Sequence, residues 1–117
     1  MMSVKPIGGY FELELSCVDN FPHRGGTFVN TGRNALELIL RGIGNIKTLY
    51  VPYYTCDVVL EPIKKLNIQY LFYHINGDLE LNNDIELGND EYILYTNYFG
   101  IKDNYVKKLE SKYRKNQ

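Results

Sequence analysis

The sequence predicts an α/β fold, a layered and mostly parallel sheet with flanking helices that resembles an incomplete large domain, and three observations carry that expectation. Strand-like and helix-like segments alternate in the order strand, helix, strand, helix, strand, strand, helix from Thr27 onward. Residues 33–41 place Ala35, Leu36, Leu38, Ile39 and Leu40 mostly on one side of a helix. Near the end, Tyr105, Val106, Leu109 and Tyr113 share the spacing of a single helix face.

The elements follow in order. Residues 1–29 read as an irregular N-terminal arm, and residues 30–117 as a partial α/β domain. Within the arm, Gly8-Gly9 and Gly25-Gly26 punctuate the chain, and Asn20-Phe21-Pro22-His23 reads as a turn. Tyr10, Glu12 and Glu14 alternate with Phe11, Leu13 and Leu15, the period of a short strand with one apolar face. An arm of this length suits a segment laid across a partner surface. Thr27-Phe28-Val29 is β-prone and ends at the small-residue turn Asn30-Thr31-Gly32. The helix over 33–41 then stops at Gly42 and Gly44.

Residues 47–51 read as a buried strand ending at Pro52, and residues 57–66 as a second helix capped by Asp57. Pro62 falls inside that helix, so it either kinks there or starts later than Asp57. Residues 68–74 form the next strand, followed by the turn signal Asn76-Gly77. A polar loop over 82–90 surrounds a short Ile85-Glu86-Leu87 element. Residues 91–98 make a strand closed by Phe99-Gly100, and Asp103 caps the last helix.

Composition narrows the functional classes. Thirteen basic against fourteen acidic residues give a net charge of −1, which provides no field for nucleic acid or an anionic membrane. Six basic and two acidic residues lie between Lys102 and Gln117, a balance that suits a solvated helix face. The apolar runs are far shorter than the roughly 18 residues of a spanning helix. The opening Met1-Met2-Ser3-Val4-Lys5-Pro6 lacks the apolar core of a secretory signal. Cys17 and Cys56 do not form a disulfide-scaffold pattern, so the expected setting is reduced and cytoplasmic. Eleven tyrosines, five phenylalanines and no tryptophan leave two readings: half-buried strand positions, favoured by the β-propensity of Tyr, or a cleft or interface.

The segment with the most chemical content is Asn30-Thr31-Gly32-Arg33-Asn34-Ala35. The first N–H groups of a helix lack intrahelical partners, and the helix dipole makes that end positive. Gly32 lets an anion such as phosphate approach, Thr31 and Asn34 add side-chain donors, and Arg33 adds a charged one. The same residues also suit a plain helix cap. The turn is neither a Walker loop nor a dinucleotide fingerprint, since both glycine spacings are absent. A thiol–imidazole pair of Cys56 with His74 or His23 is a weaker candidate. Asp78, Asp84 and Asp90 lack calcium-loop spacing.

Three segments together resemble a known family. Thr31-Gly32-Arg33-Asn34-Ala35-Leu36-Glu37, Tyr50-Val51-Pro52-Tyr53-Tyr54-Thr55 and Tyr95-Thr96-Asn97-Tyr98-Phe99-Gly100 stand in the order and spacing of the DegT/DnrJ/StrS sugar aminotransferases. Those are fold-type-I enzymes that use pyridoxal 5′-phosphate, and the resemblance covers roughly their N-terminal third. It implies that Thr31, Gly32, Arg33 and Asn34 hold the cofactor phosphate, with Arg33 replacing a more usual Thr or Ser. Cys56 stands where the family has a ring-stacking aromatic residue. Either its sulfur packs on the ring, or Tyr54 takes over the stacking, or the ring is held less well. Asn97 stands in place of a histidine.

The Schiff-base lysine and the acidic partner of the pyridinium nitrogen lie beyond the matching segment. Lys102, Lys107 and Lys108 do not match them. The resemblance therefore implies a catalytically incomplete piece of an enzyme whose partners are a small-molecule amino donor and a sugar or other carbonyl acceptor. It also implies an exposed sheet edge and hence a homo-oligomer. The alternative is a non-catalytic α/β binding or interaction module.

Overall fold

A computed structural model describes residues 25–114. Helix α1 (Gly32–Ile43) is followed by strand β1 (Thr48–Pro52), a 3₁₀ turn (Asp57–Val59), helix α2 (Leu60–Lys65) and strand β2 (Gln69–Tyr73). Strand β3 (Glu91–Ile93), a second 3₁₀ turn (Tyr98–Gly100) and helix α3 (Asp103–Tyr113) complete the order. The strands form one parallel sheet in the order β2-β1-β3, with Leu49 opposite both Tyr70 and Tyr92. The α/β class is therefore observed, with three strands among the described residues.

Leu49 and Val51 project from one face of β1 and join Leu40 of α1 and Ile63 of α2 in the core. Tyr70, Tyr92 and Leu94 flank that cluster from the neighbouring strands. Burying Val51 and Ile63 completely contributes about 1.5–3 kcal/mol each. The other face of β3 and helix α3 line a groove of about 350 Å³ that includes Ile93, Tyr95, Val106 and Leu109. Tyr105, Val106, Leu109 and Tyr113 are the half-buried side of α3, as their spacing predicts.

Several boundaries differ from the sequence reading. The predicted strand 10–15 and the turn at 20–23 lie outside the described residues. Thr27-Phe28-Val29 is not a strand: these residues pair with none of the three strands and Phe28 is 66% exposed. Helix α1 continues through Gly42 and stops at Gly44, whose φ of 86° is the left-handed geometry glycine adopts freely. Leu38 and Ile39 are exposed, because only part of the apolar stripe of α1 meets the sheet.

Pro62 has its effect at the start of the second helix. Residues 57–59 take the tighter 3₁₀ form, so Pro62 falls in the first turn of α2, where its missing N–H is not needed. Asp57 does not cap: it is the first residue of that turn, and no side-chain cap bond forms.

The predicted strand over 91–98 stops at Ile93 for a related reason. Leu94 N–H still donates to Tyr50 at 2.8 Å, but the next rung needs an N–H from position 52, and proline has none. The Tyr73 hydroxyl donates to the Leu94 carbonyl instead, at 2.8 Å. Ile85-Glu86-Leu87 forms no regular element, and Asp103 lies in the first turn of α3 rather than at its cap.

Candidate functional site

Helix α1 reaches β1 through the short link 44–47, so the two run in opposite directions. The start of α1 therefore lies at the end of the sheet where the strands finish. The Tyr53–Cys56 segment after β1 and the Tyr95–Gly100 segment after β3 emerge at the same end. Ligands of open parallel sheets bind beyond the carboxyl ends of the strands.

At the start of α1, Thr31 has extended backbone and its Oγ1 accepts the Asn34 N–H at 3.2 Å. Its carbonyl accepts Ala35 N–H at 3.0 Å. Among the described residues, the Gly32 and Arg33 N–H groups have no acceptor, as expected for the first two positions of a helix. A Cβ built on Gly32 would meet nothing within 4 Å, so the approach to these amides is open. The Asn34 side chain donates to the Asn30 carboxamide oxygen, bracing the turn.

Arg33 does not reach over this turn. Its guanidinium pairs with Glu61 of α2, across a surface groove of about 300 Å³ whose walls also include Asn30, Thr31 and Lys65. Glu37, one turn further on, pairs with Lys65 and Arg41 at 2.9 and 2.8 Å, and the Lys65 hydrogen bond holds its carboxyl below the usual range. The Arg33–Glu61 and Glu37–Lys65 pairs join α1 to α2 with modest energies, and the Arg41 pair lies within α1.

The other resemblance-derived positions are in different circumstances. Tyr54 is exposed and stacks on Tyr98 at 5.6 Å between ring centres, while the Tyr98 hydroxyl donates to the Tyr54 carbonyl at 2.9 Å. Cys56 is an exposed free thiol just before the 3₁₀ turn. His74 stacks on Tyr53 at 5.2 Å, and no Cys56–His74 bond is present among the described residues. Asn97 is fully engaged inside the chain: its Oδ1 accepts Lys102 N–H at 2.8 Å and its Nδ2 donates to Asp103 at 2.6 Å. It ties down Lys102, just before α3, although no side chain caps that helix.

Phe99, next along, is 80% exposed and held at φ 55°, a left-handed conformation that side chains rarely adopt. Lys102, one of the lysines weighed above, pairs with Glu80 at 2.6 Å. Two of the acidic loop residues are likewise committed. Asp84 pairs with Lys112, which keeps its carboxyl below the normal range, and Asp90 accepts from Asn45 at 3.1 Å. No metal-binding cluster of three or more His, Cys, Asp or Glu occurs among the described residues. No helix among them is long and apolar enough to cross a membrane.

Sequence reasoning missed the tyrosine staples. Besides Tyr73 and Tyr98, Tyr95 donates to Leu79 at 2.7 Å, Tyr113 donates to Ile85 at 2.9 Å, and Tyr105 accepts the Leu81 N–H at 3.0 Å. Their signal was the Tyr excess itself, but which carbonyl each phenol meets depends on tertiary contacts.

Compared with protein-family models, curated proteins and solved structures, the chain gives no significant match to any of them.

Proposed function

We propose that this chain provides the phosphate-holding part of a pyridoxal 5′-phosphate cleft of the sugar-aminotransferase kind, and that it is inactive alone. The observation behind this reading is the start of α1, where two amides, unpartnered among the described residues, lie under open space beside Gly32, at the end of the sheet where ligands bind. The phosphate end of the cofactor fits these groups. Gly32 and Arg33 N–H donate to the anion, and the Thr31 hydroxyl, already accepting from Asn34, keeps its own proton for a phosphate oxygen. Arg33 joins only by leaving Glu61, and exchanging one exposed ion pair for another costs little.

The ring end fits less well. Asn97 has both amide atoms engaged, leaving Tyr54 and Cys56 as the groups to pack on a ring. When bound, the cofactor supplies an electron sink for moving an amino group. The residues described here bind and orient it. In the completed enzyme the partners are a small-molecule amino donor and a sugar or other carbonyl acceptor.

A second reading, a non-catalytic α/β binding module, draws support from the committed Asn97. Titrating the cofactor while following its absorbance tests the first reading. The expected outcome is saturable binding that Gly32→Val weakens at least tenfold without unfolding the chain, since the added side chain meets open space. Equal binding by both forms, or none by either, contradicts it.

A further inference from the structure

We propose that two copies of this chain pair through the outer edge of β2, joining their sheets into one of six strands. The inference is independent of the cofactor reading. Tyr73 carbonyl accepts Tyr53 N–H at 2.8 Å, so residues 69, 71 and 73 direct their backbone groups toward β1. Tyr70 and Phe72 therefore direct theirs away from the sheet, where β2 has no neighbouring strand among the described residues. Past the strand, the returning hairpin takes the His74 carbonyl through Asn82 N–H at 2.9 Å, which confines the open edge to β2 itself.

Natural edge strands are protected by charge, proline or a bulge. Gln69-Tyr70-Leu71-Phe72-Tyr73 has none of these and is made almost wholly of β-favouring residues. Leu71 is 46% exposed on one face and Phe72 45% exposed on the other, with the exposed Tyr53 ring 5.0 Å from Phe72. The β3 edge is less suited to self-pairing, because Glu91 opens that strand and Glu110 lines the adjoining groove, so two copies would bring carboxylates together.

The outward positions of β2 are symmetric about Leu71, and this selects the occupant. An antiparallel copy related by a two-fold axis through Leu71 sets Tyr70 opposite Phe72 of the second copy, and Phe72 opposite its Tyr70. Both are hydrogen-bonded pairs, giving four backbone bonds, and the two Leu71 side chains meet at the close non-bonded pair between them. A five-residue strand pairing buries less than the roughly 1,200 Å² of a stable interface. The dimer is accordingly a weak one, forming near ~100 µM.

Sedimentation equilibrium of the full chain from about 10 µM to about 1 mM tests this across the expected range. The wild type should dimerise, Leu71→Lys should be monomeric throughout, and Ile101→Lys, a charge placed on another exposed apolar residue, should dimerise as the wild type does. With Cys17 and Cys56 replaced by Ser, Leu71→Cys should give a covalent dimer on mild oxidation. A monomeric wild type at 1 mM, an L71K chain that still dimerises, equal loss in I101K, or no cross-link at Cys-substituted Leu71 overturns the proposal.

Discussion

Tyr73 shows how single residues hold this fold together. Its phenol supplies the donor that Pro52 withholds from the Leu94 carbonyl, and its ring is buried beneath the strand ends. Tyr73→Phe should destabilise the chain by about 1 kcal/mol, because it leaves the half-buried Leu94 carbonyl without this donor. Urea unfolding of the variant against the wild type measures this.

Burial pushes the phenol of Tyr73 upward, and that of Tyr95 to about 12. A phenol whose folded pKa exceeds its unfolded value favours the folded state while protonated. That stability is complete below about pH 10, the unfolded value, and is lost as pH rises from 10 toward the folded value. Melting temperatures should therefore fall steeply above pH 10, while tyrosinate absorbance rises on unfolding. A flat profile from pH 9 to 12 would contradict the staples. The sequence offered the tyrosine count but not this use, because a phenol bonding a distant carbonyl leaves no periodic trace.

At the scale of elements, the sequence was most legible where local chemistry decides. The apolar face of α3, the central strand ending at Pro52, the Asn76-Gly77 turn and the Gly44 stop all rest on short-range rules. It was least legible where one element depends on another. The length of β3 is set by a proline on its neighbour, and Thr27-Phe28-Val29 has the propensity of a strand yet joins none of the three described strands.

Asn97 belongs to this scale too: the resemblance implies a cofactor-binding position in place of a histidine, whereas its amide bonds to the residues at the start of α3. Asn97→Ala should cost about 1 kcal/mol and speed exchange of the Lys102 amide that it accepts. Unchanged exchange at Lys102 would count against that bond. Ile63→Ala, at the contact of α2 with β1, should cost about 2–5 kcal/mol in denaturant unfolding.

Across the whole molecule, a right-sized parallel sheet brings three separated segments to one end. Thr31–Asn34, Tyr53–Cys56 and Tyr95–Gly100 were each legible as short motifs, and their convergence follows from helix and strand directions alone. What spacing did not reveal is the internal commitment of the side chains, with Arg33 on Glu61 and Asn97 on α3. Among the described residues, the first amides of α1 are the groups without an internal partner. The most direct measurement is therefore an amide-resolved NMR titration of the full chain with inorganic phosphate. Saturable shifts centred on Gly32 and Arg33, absent from Gly32→Val, are the predicted result. Shifts that are uniform across the surface, or none at these two amides, would contradict an anion site at the start of α1.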